Sequence, residues 1–252
     1  MRRFQLREVF TISFKRPPRL LIESSISLIL CVAAQCLYVS VSQPATAAAG
    51  GFGTIASSSR CAPAPTGFIP QTIQLDAQPS NGLHTVIDGQ YDYVVTGNSV
   101  SQINTQMTDC TPISEGANRY AATTYYNLNW QLQYRQAGNI CSVDTASVGL
   151  HVALVFPVWS PNAASETAVT AGWNRFISNL HTHEAGHVAR DIAAGTALQT
   201  TLQALPSADC SMVTQLATQR ANALIAQLDA SNQHYDRDTD HGRTQGAVLS
   251  EQ

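Results

Sequence analysis

Lysine is almost missing from this 252-residue chain: Lys15 is the only one. Charge of any kind is scarce, at 12% of residues, and it is unevenly placed. Six of the 14 basic residues, Arg2, Arg3, Arg7, Lys15, Arg16 and Arg19, precede the first long apolar run. With those six and the acidic Glu8 and Glu23 set aside, the chain from Ala48 carries a net charge of about −7 and no lysine. A surface without a basic patch cannot neutralise a row of phosphates, so nucleic acid and anionic lipid are excluded as expected partners. Also missing is any C-x-x-C pair or close Cys/His spacing, which speaks against cysteines as metal ligands. Neither Cys31, which follows Leu30, nor Cys36, which follows Gln35, sits in the small-residue context of a lipid-attachment site.

What the N-terminus does have is a pattern. The cationic start leads into SSISLILCVAAQCLYVSV (24–41), which has no charge, and then into QPATAAAG, with small residues at Ala45, Ala47, Ala48 and Ala49. This order reads as a secretory signal over residues 1–47, leaving no membrane contact after cleavage. A retained anchor is the alternative, because the run approaches the length of a span. An exported chain with four remaining cysteines, Cys61, Cys110, Cys141 and Cys210, is expected to form two disulfides, with three possible pairings. Residues 48–84, rich in Gly, Ser, Pro and Ala, read as a flexible lead-in pinned at most by Cys61.

Regular periods begin after the lead-in and define a domain over 85–249. YDYVV (91–95) reads as a strand, and 97–107 as a helix opened by Asn98 or Ser99. In TTYYNLNWQLQY the residues Tyr126, Leu128, Trp130, Leu132 and Tyr134 alternate with polar ones, as in a half-buried antiparallel strand. SVGLHVALVFPVW repeats the alternation until Pro157 stops it, with His151 facing away from the apolar set. The period then turns helical, with Trp173, Phe176, Ile177 and Leu180 in one stripe. A last helix is expected from about 208 to 232, followed by HYDRDTDHGRTQGA (234–247), either a solvated tail or a loop that places side chains at a site. The fold class is α+β: a twisted antiparallel sheet packed on a long helix, plus a C-terminal helix.

The helical stripe leads straight into HTHEAGHVARD (181–191), which contains H-E-x-x-H at His183, Glu184 and His187. On a helix, positions i and i+4 stack on one face, so two imidazoles can reach one ion. Glu184 stands about 100° around the helix, which suits a base that handles water rather than a ligand. With 7 His among 252 residues, chance supplies roughly 0.005 such matches. The chemistry expected is zinc-assisted hydrolysis with Glu184 as the general base. The third ligand is expected to be His241, which comes from a separate segment and precedes a permissive Gly242; Asp191, Asp236, Asp238 and Asp240 are the alternatives. Asp191, at i+4 from His187, suits a hydrogen-bond acceptor that orients a histidine. His181 lies on another face. Tyr235 or Arg243 is placed by proximity as the group that stabilises an oxyanion. Gly186 either lets a substrate backbone approach or is only tolerated.

Taken in order, YDYVVTG, NWQLQY, Cys141-Ser-Val, FPVW, Trp173-x-x-Phe176, HEAGH, Cys210 and the terminal Tyr235-Asp236-x-x-Thr239-x-His241-Gly242 resemble a bacterial family of predicted secreted zinc proteases, domain of unknown function 922. The resemblance spans about residues 85–249. It implies a zincin-like domain and a secreted or periplasmic zinc peptidase acting on peptide or protein substrates. Two rivals use the same residues: a zinc amidase of cell-wall peptides, and a non-catalytic exported domain that merely holds a metal. An intact Glu184 argues against the second, because a closed structural site has no use for a base.

Overall fold

The computed structural model describes residues 7–12, 61, 82–115, 117–161 and 167–251. The elements are β1 (Arg7–Ile12), β2 (Leu83–Val95), α1 (Val100–Cys110), a small hairpin of β3 (Ser114–Glu115) and β4 (Asn118–Arg119), β5 (Thr123–Ala137), β6 (Ile140–Trp159), α2 (Thr167–Gln203), β7 (Ala208–Asp209), α3 (Cys210–Thr239) and a 3-10 turn at Arg243–Gln245. The fold is mixed α and β, with the strands of the main sheet in the order β1-β5-β6-β2 and β7 paired to the start of β6.

The alternating sequences of β5 and β6 form the centre of the sheet as an antiparallel pair, with Leu128 opposite Leu150 and Trp130 opposite Val148. Their period of two gathers Leu128, Trp130, Leu132, Val148, Leu150 and Val152 on one buried face. His151, on the other face, lies across from Asn127, as its cross-strand reading anticipated. Helix α2 covers the apolar face, and α3 packs beside α2 through Val213, Ala217, Ala221, Ile225 and Leu228. Ser99 caps α1, its side chain accepting from the Gln102 amide.

Three expectations need correction. The sheet is not wholly antiparallel, because β2 runs parallel to β6; alternation fixes the face a residue occupies and says nothing of strand direction. Pro157 does not stop β6, which continues to Trp159. The β5 partner has already ended opposite Val155, so near Pro157 only the β2 side of the strand is paired, and a missing N–H is tolerated on an unpaired side. Finally, α3 does not end near 232 but runs to Thr239, where Asp240 closes it in the left-handed region at φ 48. Asn232, Tyr235, Asp236 and Thr239 share one face at i, i+3, i+4 and i+7. The helix end is polar because that face meets a polar patch of α2.

The disulfides are Cys61–Cys110 and Cys141–Cys210, one of the three possible pairings. The second ties the start of β6 to the first residue of α3. Two disulfides accord with an exported protein. Among the described residues no helix is long and apolar enough to cross a membrane; the apolar run 24–41 and most of the lead-in lie outside them. Strand β1 falls inside the segment read as a leader and pairs with β5 at the sheet edge.

Candidate metal centre

Along α2 the buried stripe includes Trp173, Phe176 and Leu180 before the motif and Leu198 and Leu202 after it, yet between these it carries His183, Glu184, His187 and Asp191. All four are buried, Asp191 completely. Burying such groups costs several kcal/mol each unless partners are supplied, on the order of what a small core side chain contributes. The partners come from the inner face of α3, from the turn that follows it and from β5.

Asp236 Oδ1 lies 2.9 Å from His187 Nε2 and 3.3 Å from His183 Nε2. One ligand atom from each of these three residues lies within 4.8 Å of the other two. The opposite ring nitrogens are also engaged: His183 Nδ1 donates to Gln245 Oε1 at 2.9 Å, and His187 Nδ1 donates to Asn232 Oδ1 at 3.0 Å. An amide oxygen only accepts, so each Nδ1 keeps its hydrogen and each Nε2 is left facing Asp236. Asn232 is itself held, donating from Nδ2 to Asp191 Oδ1 at 3.1 Å. Asp191 therefore reaches His187 through an amide rather than directly.

The electrostatics agree with this arrangement. Burial alone would lower the His187 pKa, but hydrogen bonds with Asp236 and Asn232 outweigh it and raise the value. Burial alone would raise Asp236, but the two imidazoles hold it below the usual carboxylate range. Burial pushes Asp191 up to about 6, against the Asn232 hydrogen bond. Two imidazole nitrogens and one carboxylate oxygen converging from two helices make a donor set that fits a divalent cation, which would take the place of the Nε2 protons.

Glu184 stands beside this group without joining it. It is 3% exposed, and its Oε2 accepts from Thr124 Oγ1 of β5 at 2.7 Å. Burial raises its pKa, opposed by Thr124 and by the two histidines. A carboxyl with a raised pKa next to a cation site is suited to taking and returning a proton.

The other expected site residues fall elsewhere. His241 is not the third member of the set; its Nδ1 is 3.8 Å from Asp236 Oδ1 and its side chain is 47% exposed. Because α3 continues past 232, Asp236 meets the histidines from a helix face, and His241 is carried beyond the helix end. Asp238, 59% exposed, pairs with His234, and Asp240 pairs with Arg243, whose side chain is 73% exposed. His181 stacks on Phe156 at 4.0 Å. Tyr235 packs within the group: its ring stacks on His183, and its hydroxyl donates to the His183 carbonyl at 3.2 Å and accepts from Gln245 Nε2 at 3.0 Å.

This explains Gly186. A Cβ there would lie 2.1 Å from the Tyr235 hydroxyl, so the glycine admits the phenol, not a substrate backbone. Arg190 completes the clamp, with its guanidinium 3.7 Å from the Tyr235 ring centre and a hydrogen bond to the Gly186 carbonyl. Gly186→Ala should force α2 and α3 apart at the residue next to Asp236 and weaken metal binding by about 10-fold or more, although Ala is the better helix former by about 1 kcal/mol. Metal titration and a melting curve check this; unchanged affinity would remove the clamp from the account. Gly242 is needed for a related reason: its φ is 83, and a Cβ would come within 3.0 Å of His183 Cγ.

Sequence reasoning missed Asn232, Gln245 and Thr124. The polar i, i+3, i+4, i+7 set on α3 was the available signal for Asn232. Gln245 and Thr124 meet the site only through the tertiary fold.

A mixed α and β domain with a His-His-Asp group able to hold a metal ion is the class these features define. The chain belongs to the family described as "Bacterial protein of unknown function (DUF922)", which matches residues 91–242. No curated protein and no solved structure matches it.

Proposed function

We propose that the protein is an exported zinc-dependent peptidase of zincin-like design, secreted or periplasmic, that hydrolyses peptide bonds in peptide or protein substrates. The observation that carries this reading is the double locking of the histidines. Gln245 and Asn232 hold the two Nδ1 atoms, so both Nε2 atoms face Asp236, where a cation would replace their hydrogens, while Glu184 stands buried beside them. His183, His187 and Asp236 would hold the ion, and nitrogen-rich, sulfur-free donors suit zinc. When bound, zinc supplies Lewis acidity that brings the pKa of a water to about 7 and polarises a carbonyl.

The chain's own residues do the rest. Glu184 accepts a proton from the attacking water and returns it to the leaving amine, and Thr124 holds the carboxylate in place for both transfers. Tyr235 positions His183 and does not touch substrate. Three protein ligands leave a position for chemistry, which favours an enzyme over a domain that only holds a metal. The acidic chain after Ala48 keeps nucleic acid out of the partner list.

Asp191 supports His187 through Asn232. Asp191→Ala is expected to weaken zinc by roughly 10- to 100-fold without abolishing binding, as a chelator competition would show; complete loss would make it a ligand. The function itself is tested with the zinc-loaded chain from Ala48 on casein and on peptidoglycan fragments. Casein cleavage that a chelator stops and zinc restores supports a peptidase. Cleavage of the fragments alone would assign a cell-wall amidase instead, and zinc binding without either would leave a metal-holding domain.

A further inference from the structure

His241 has a precise placement that neither the ligand set nor the proton transfer uses. Its Nδ1 is 3.8 Å from Asp236 Oδ1, the oxygen that both buried histidines approach, and this is too long for a hydrogen bond. The buried histidines expose 4% and 10% of their side chains, and His241 exposes 47%. Of the three imidazoles it is the one that borders both the centre and solvent. Among the described residues its ring makes no hydrogen bond, whereas each buried histidine has an amide oxygen fixing its Nδ1.

The ring is nonetheless held. It packs against Tyr120 with centroids 4.8 Å apart. Its backbone has φ 51, directly after Asp240 at φ 48, and its amide donates to the Asp236 carbonyl at 2.8 Å. A left-handed conformation outside glycine costs about 1 kcal/mol or more, and it persists only where its surroundings enforce it. Here the helix end, the Asp240 turn and Gly242 enforce it, and the result is an imidazole at the rim of the group.

We propose that His241 is the substrate-facing hydrogen-bond donor of the centre. Its ring N–H would donate to the carbonyl oxygen of the scissile bond as negative charge builds there. This rests on the peptidase reading above and takes the oxyanion role from Tyr235 and Arg243. The donor is fixed before substrate arrives, which is the condition under which such hydrogen bonds lower a barrier most.

The test uses the zinc-loaded chain from Ala48 with His241→Phe, which keeps a ring against Tyr120, and His241→Gln, which keeps an N–H donor. Zinc affinity by chelator competition should stay within about threefold in both, short of the 10- to 100-fold loss that follows removal of even a residue supporting a ligand. In His241→Phe kcat should fall by about 10²–10³, and His241→Gln should recover part of it. A large loss of zinc in His241→Phe would make His241 a ligand, and a normal kcat would remove its role; either overturns the inference alone. A parent chain that binds zinc but cleaves no peptide overturns the peptidase reading, and this inference with it.

Discussion

Asp236→Ala is expected to strip the protein of its metal. The substitution removes one of the three candidate ligand atoms and the only anion among them, and it also removes the charge that both Nε2 atoms face. A structural zinc is worth about 10–16 kcal/mol shared among its ligands, so losing one should cost on the order of 10³-fold in affinity. Asp236→Asn is the informative companion: it keeps the shape and an oxygen but not the charge, and it should also bind poorly. Competition against a chelator of known strength reads both variants. Affinity within a few-fold of the parent in Asp236→Ala would place the metal elsewhere.

Glu184→Gln should behave in the opposite way, keeping zinc and losing turnover by about 10² or more. The Gln side chain can still accept from the Thr124 hydroxyl, so the geometry around β5 and α2 should survive. Stability should hold or rise, because a carboxylate whose pKa is raised by burial opposes folding when ionised. Melting temperature, bound zinc and kcat measured on one preparation separate the possibilities. Lost zinc would make Glu184 a ligand, and retained activity would remove it as the base.

Much of this centre could be read from the chain, for reasons that are local. The i, i+4 spacing of His183 and His187 and the stripe from Trp173 to Leu180 both belong to one helix, and a helix reports itself through its period. The same holds for the alternation in β5 and β6. Strand direction is different, and so β2 was expected antiparallel and is parallel. Asp236 was named only as an alternative to His241, because the polar density of 234–247 looks like a loop when the core is assumed to be apolar. It is a helix whose buried face is polar because the neighbouring helix face is polar too. Thr124 meets Glu184 across a separation of 60 residues, and nothing in either neighbourhood announces the other. Gly186 was noticed, but its reason, the phenol of Tyr235, appears only when α2 and α3 are packed.

X-ray absorption at the zinc edge of the loaded chain from Ala48 tests the centre most directly, because imidazole rings produce distinctive multiple scattering and can be counted. The account predicts one zinc per chain with two imidazoles, their nitrogens at about 2.0–2.1 Å, the remaining neighbours oxygen and no sulfur. Three imidazoles would return His241 to the ligand set in place of Asp236, and a chain that takes up no zinc would contradict the metal centre altogether.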